Sequence, residues 1–85
     1  MSKPLHFTAH ALTVIRERQL DANWVEQAVR APDWRETDPS GSPAERRYRR
    51  IPECGNRILR VICLETDSEI RIITAFLDRK ARQPQ

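Results

Sequence analysis

Residues 57–77 read RILRVICLETDSEIRIITAFL, two runs of Ile, Val, Leu, Thr and Phe separated only by Thr66-Asp67-Ser68-Glu69. Such a pattern predicts an antiparallel hairpin. With Asp67 and Ser68 in the turn, Thr66 faces Glu69, Leu64 faces Arg71, Ile62 faces Ile73, Arg60 faces Ala75 and Ile58 faces Leu77. Side chains alternate between the faces of a strand, so Leu59, Val61, Cys63, Ile70, Ile72, Thr74 and Phe76 are expected on the core side. The other side then carries Ile58, Ile62, Leu64, Ile73, Ala75 and Leu77, with Arg60 and Arg71 set among them. A merely solvated back would be more polar, so this second face is expected to be partly covered or to bind something.

The rest of the chain has to supply the layer that covers the core side. At 85 residues it makes one small domain, of a size that buries only about 60% of its unfolded surface. Hydrophobic residues make up 39% and charged residues 32%, the balance of a soluble domain, and no apolar run approaches the roughly 20 residues of a membrane span. The N-terminus shows neither a long apolar core nor a small-residue cleavage site, so a cytoplasmic location is expected. Cys54 and Cys63 make no disulfide framework and are expected as free thiols, Cys63 in the core. Net charge is +3, unevenly placed. Residues 1–44 hold five basic and six acidic groups, and residues 45–85 hold ten basic and six acidic. Positive charge therefore gathers where the strands are, which favours an anionic partner, either a nucleic acid or an acidic protein.

Taken in order, Lys3 to Phe7 is a short strand candidate and Thr8 an N-cap for a helix from Ala9 to Gln19, with Ala11, Leu12 and Ile15 at helical spacing. Asp21 caps a second helix, in which Val25, Ala28 and Val29 form the apolar stripe and Leu20 is placed to staple onto Val25. Pro32 marks its stop. The segment 32–44, with Pro32, Pro39, Gly41 and Pro43, reads as a loop long enough to be mobile or functional. Trp34 within it either anchors the loop to the core or offers a platform for stacking a base or a partner residue. Glu45–Ile51, ERRYRRI, is the next strand, with Arg46, Tyr48 and Arg50 on one face and Arg47, Arg49 and Ile51 on the other. So little of it is apolar that an edge position, or one beside a charged partner, is expected. The basic tail 79–85 is expected to fray.

Two constellations could carry chemistry. His6 and His10 share the spacing H-x-x-x-H, open to a metal role, a surface or capping role, or acid/base and phosphate contact in an RNA site. No cysteine or glutamate completes a metal set, and no metal or cofactor is expected. The second is basic: Arg46, Arg47, Arg49, Arg50, Arg57, Arg60 and Arg71 around Tyr48, extended by Arg79 and Lys80 of the tail. Guanidinium forks match phosphate oxygens, and an interleaved tyrosine can stack on a base or donate a proton. A binding module for nucleic acid or an acidic protein is one reading of this group.

The opening His-Phe-Thr-x-His-Ala, the Arg16-Glu17-Arg18-x-Leu20 that closes the first helix, Ala28 followed by Pro32, and the Ile-Thr before an aromatic in the closing hairpin together resemble small proteins allied to the RelE and BrnT toxins. The resemblance spans Leu5 to Phe76. It implies an α+β fold of order β-α-α-β-β-β, with two N-terminal helices packed on one face of a twisted, mostly antiparallel sheet. It further implies metal-independent endoribonuclease chemistry, in which a 2′-hydroxyl attacks the adjacent phosphate. His6, His10 or Tyr48 would then transfer protons, and Arg50, Arg60 and Arg71 would stabilise the phosphorane. The implied partners are RNA, including ribosome-associated RNA, and a small antitoxin. The tail DRKARQPQ departs from many active toxins in lacking a His or Tyr near its end.

Overall fold

The computed structural model describes residues 3–40 and 43–84. Gly41 and Ser42 of the expected loop, Gln85 of the tail, and Met1 and Ser2 lie outside the described residues. The chain runs β1 (Leu5–Phe7), α1 (Ala9–Glu17), α2 (Ala22–Arg30), β2 (Trp34–Thr37), β3 (Glu45–Ile51), a 3₁₀ turn (Pro52–Cys54), β4 (Arg57–Glu65) and β5 (Ile70–Leu77). Among the described residues these strands form one five-stranded sheet in the order β1-β5-β4-β3-β2, with β1 parallel to β5 and all other pairs antiparallel. The fold is α+β. No helix among the described residues is long and apolar enough to cross a membrane.

Both helices begin where their caps require. The Thr8 hydroxyl accepts from Ala11 N at 3.1 Å, and the Asp21 carboxylate accepts from Asn23 N at 2.8 Å, each satisfying an amide that the first helical turn leaves over. The first helix ends two residues earlier than expected, because Gln19 turns left-handed (φ 55°) and feeds Leu20 back into the core. Leu20 and Val25 join one core cluster with Ala11, Ile15, Ala28 and Val29 from the helices and Leu59, Val61, Cys63, Ile70, Ile72 and Ala75 from the hairpin. Full burial of each Val, Leu or Ile contributes about 1.5–3 kcal/mol, so this layer is the main source of stability.

Two expectations are corrected. The segment 32–44 is not all loop: Trp34–Thr37 is a strand that pairs with Glu45–Tyr48 and adds a fifth strand beyond the expected order. Consequently the strand Glu45–Ile51 is not at the sheet edge but lies between β2 and β4.

The hairpin register also slips. Leu64 pairs with Arg71 as expected, but beyond Cys63–Ile72 the partners become Ile62–Thr74, Val61–Ala75, Arg60–Phe76 and Leu59–Leu77, leaving Ile73 as an extra residue. This is a β-bulge. It inverts the expected faces of the last four residues: Ala75 and Leu77 pack on the core, while Thr74 and Phe76 pass to the open side. The bulge is held by the N-cap of α1, since Thr8 N donates to Ile72 O at 3.2 Å and Thr8 Oγ1 donates to Ile73 O at 3.4 Å. One residue thus starts the first helix and closes the irregularity in the strand beneath it.

Candidate functional site

With the bulge in place, four residues line up across the open face, one from each of four adjacent strands: Trp34, Tyr48, Arg60 and Phe76 are successive register partners. The rings of Trp34 and Tyr48 are stacked, with centroids 4.5 Å apart and planes 6° from parallel. The Arg60 guanidinium sits over the Phe76 ring at 4.3 Å, and Arg18 approaches the same ring at 5.8 Å. Cross-strand aromatic and cation–π pairs of this kind contribute on the order of 1 kcal/mol each. Trp34 is therefore an anchor, as one reading of it expected, and it leaves Tyr48 only 4% exposed. Two buried donors on this row, Trp34 Nε1 and Arg60 Nε, have no acceptor among the described residues. For Arg60 the π face of Phe76 offsets part of that deficit.

Immediately beside the row lies a cleft of about 330 Å³ between the turn that joins β3 to β4 and the C-terminal segment. Arg50, Arg57, Arg79 and Arg82 line it, with Asn56 and Asp78. The turn reaches this point through two consecutive left-handed residues, Gly55 (φ 65°) and Asn56 (φ 62°), and Asn56 N donates to Ile51 O at 3.0 Å. The other wall is set by Asp78. Its N–H donates to Ile58 O at 2.8 Å, its Oδ1 accepts from Lys80 N at 2.9 Å, and its Oδ2 stands 3.4 Å from Arg60 Nη1. All four cleft arginines are exposed. Among the described residues none of their guanidinium groups has a carboxylate within ion-pair distance, and the one acid of the cleft is already engaged by Arg60. The result is a concentrated, uncompensated positive charge.

The remaining candidates are distributed elsewhere. Arg47 is 3% exposed and faces the helices: it donates to Val29 O at 3.0 Å, Glu45 at 2.9 Å and Glu65 at 2.7 Å. Arg49 donates to Ala31 O at 2.6 Å. Together they satisfy carbonyls at the C-terminal end of α2, where cations are favoured, so neither is presented to a ligand on the open face. Glu65, bonded by Lys3 at 2.8 Å as well as by Arg47, has its carboxyl held down at about 2 by those two cations. Arg46 is on the open face but paired with Asp38 at 3.1 Å, a contact that, with the Ser40 hydrogen bond, lowers the Asp38 carboxyl. Lys80 belongs to the tail turn, where its side chain is exposed.

His6 lies on β1 opposite Arg71, both exposed, and Arg71 also contacts Glu69 at 3.2 Å. His10 is on α1, the element that packs on the opposite face. The H-x-x-x-H spacing is thus divided between a strand and a helix, and among the described residues no group of three or more His, Cys, Asp or Glu is placed for a metal. His6 and Tyr48 are separated by three strand spacings and four residues along the strands, roughly 20 Å. They cannot act on one phosphate. Burial pushes the Cys63 thiol up to about 11, which makes it an inert core residue.

The structure therefore gathers Arg50, Arg57 and Arg79 at one cleft, with Tyr48 and Arg60 beside it, and separates them from His6, His10 and Arg71. Sequence reasoning passed over Arg82, Asn56 and Phe76. A signal for Arg82 was present in the run Asp78-Arg79-Lys80, because Asp at the start of a turn fixes the backbone that follows. Phe76 had none, since its face depends on the bulge.

Residues 7–77 match the model of a family described as a domain of unknown function (DUF4258). No curated protein and no solved structure matches the chain.

Proposed function

Since the chain belongs to the DUF4258 family, whose description carries no activity, its chemistry has to be sought in its own side chains, and we propose that it is an RNA-binding domain whose phosphate contacts are made in the arginine cleft. The observation that supports this most directly is the set of four arginines without carboxylate partners around one cleft. Guanidinium groups in that position bind phosphate oxygens in forked geometry. The Trp34–Tyr48 stack alongside supplies an aromatic surface on which an unpaired base can lie, the usual way in which single-stranded RNA is held. Kinship with RelE and BrnT toxins remains part of the proposal, with a small antitoxin as the protein that would cover the open face.

A second reading, a metal-independent endoribonuclease, is favoured by one relationship: Tyr48 and Arg60 are direct cross-strand partners next to the cleft. The Tyr48 hydroxyl, however, donates to Glu36 at 3.1 Å and the ring is covered by Trp34. Binding without cleavage is accordingly the primary reading. Fluorescence anisotropy with a short unstructured RNA tests it. The wild type is expected to bind, Arg50→Ala and Arg57→Ala each to weaken binding by about 3- to 10-fold, and the RNA to be recovered intact. Failure to bind RNA at low salt would end the proposal, and cleaved product lost in Tyr48→Phe would replace it with the second reading.

A further inference from the structure

Taking the RNA-binding reading as its basis, we infer that the arginine cleft is built for a terminal phosphate group rather than for an internal phosphodiester. The first argument is charge. Arg50, Arg57, Arg79 and Arg82 converge on a cleft of about 330 Å³, near the lower end of the range for pockets that hold one small ligand. Space of that size takes one nucleotide. An internal phosphodiester would bring one negative charge to four cations, whereas a phosphomonoester brings about 1.5 to 2, with three acceptor oxygens instead of two. Asp78 does not reduce the mismatch, because Arg60 is at 3.4 Å from its carboxylate.

The second argument is shape. A continuous strand crossing a groove needs a way in and a way out. Here one wall is the turn carrying Asn56 and Arg57, and the other is the segment after β5, tied back by the Asp78 N–H to Ile58 O (2.8 Å) and turned by Lys80 N on Asp78 Oδ1 (2.9 Å). That turn places Arg79 and Arg82 against the same cleft as Arg50 and Arg57, so cations face the ligand from both walls. A chain end fits such an enclosure better than a passing backbone. The remainder of the strand would then leave over the Trp34–Tyr48 stack.

Binding of one short RNA sequence in four forms decides this: hydroxyl at both ends, 5′-phosphate, 3′-phosphate, and a free nucleoside monophosphate as competitor, all at one ionic strength. One phosphorylated end is expected to bind about tenfold or more tighter than the hydroxyl form, and Arg79→Ala/Arg82→Ala is expected to abolish most of that difference while leaving the circular dichroism spectrum unchanged. Equal affinity for all three RNAs would overturn the inference and leave the RNA-binding reading standing. Competition by the free nucleotide at the concentration effective for phosphorylated RNA would uphold the terminal-phosphate cleft and overturn RNA as its ligand. No binding of any form would overturn both.

Discussion

The carboxylate of Asp78 stands 3.4 Å from Nη1 of Arg60, and this one contact joins the arginine cleft to the cross-strand row of the open face. Asp78 both orients the tail arginines and subtracts from the charge that they create. Replacing it by Asn keeps an Oδ1 acceptor for Lys80 N and removes the charge. Asp78→Asn is therefore expected to tighten RNA binding by about 2- to 5-fold, the size of one screened charge interaction near the surface. Anisotropy at fixed salt would show it, and weaker binding would mean that the ion pair, rather than the turn, holds the tail in place.

Thr8 has two tasks: capping α1 and holding the bulge at Ile73. Loss of an N-cap alone costs about 1 kcal/mol. Thr8→Ala is expected to cost about 1–2 kcal/mol in urea unfolding, whereas Thr8→Ser, which keeps the hydroxyl, is expected to lose less than half of that. If the two variants were equally destabilised, the hydroxyl would not be what secures the bulge.

Arg47 is the one buried charged residue among the described residues, and it ties α2 to the sheet through Val29 O, Glu45 and Glu65. Its removal leaves a buried carbonyl without a donor and breaks a largely buried pair, so Arg47→Ala is expected to cost about 2–4 kcal/mol. Because Arg47 faces away from the cleft, RNA affinity measured well below the variant's unfolding midpoint should be nearly unchanged. A large loss of affinity in a folded variant would show that the binding surface is on the helical side.

The same network makes a pH prediction with a definite sign. Glu65 is held at about 2 in the folded protein, below the ordinary 4.5 of a glutamate, by Lys3 and Arg47. A depressed carboxyl stabilises the fold above the unfolded value, and that contribution is lost as pH falls from about 4.5 toward 2. Stability followed by urea titration should decline across that window, and Glu65→Gln should flatten the part due to this group. An identical acid profile in the variant would exclude Glu65 as a contributor.

How much of this could be read beforehand depended on whether local pattern or pairing fixed each element. Leu59-Arg60-Val61-Ile62-Cys63 and Ile70-Arg71-Ile72 alternate in burial as strands must, and Thr8 and Asp21 announce helices by the hydrogen bonds they can make; all of these were legible. Trp34–Thr37 was not, because four residues between Pro32 and Pro39 carry no apolar alternation. They are a strand through pairing with β3 and the stack of Trp34 on Tyr48. The bulge was hidden for the opposite reason: Ile72-Ile73-Thr74 is apolar enough on both sides to permit either register, and a hydrogen bond from Thr8 decides between them. At the site, Arg60 and Arg71 were correctly placed on the open face, yet Arg47 and Arg49, alike in sequence to Arg46 and Arg50, were drawn to the carbonyls that end α2. Alternation told which face they occupied; only packing told what waited there.

The most direct test of the central claim, that the cleft arginines hold RNA phosphates, is the salt dependence of binding. For single strands the logarithm of the association constant falls with the logarithm of salt by about 0.7 per phosphate neutralised. Measured between about 50 and 200 mM salt, the Arg50→Ala/Arg57→Ala protein should show a slope about 1.4 shallower than wild type, together with weaker binding. An unchanged slope in that double variant would contradict the account.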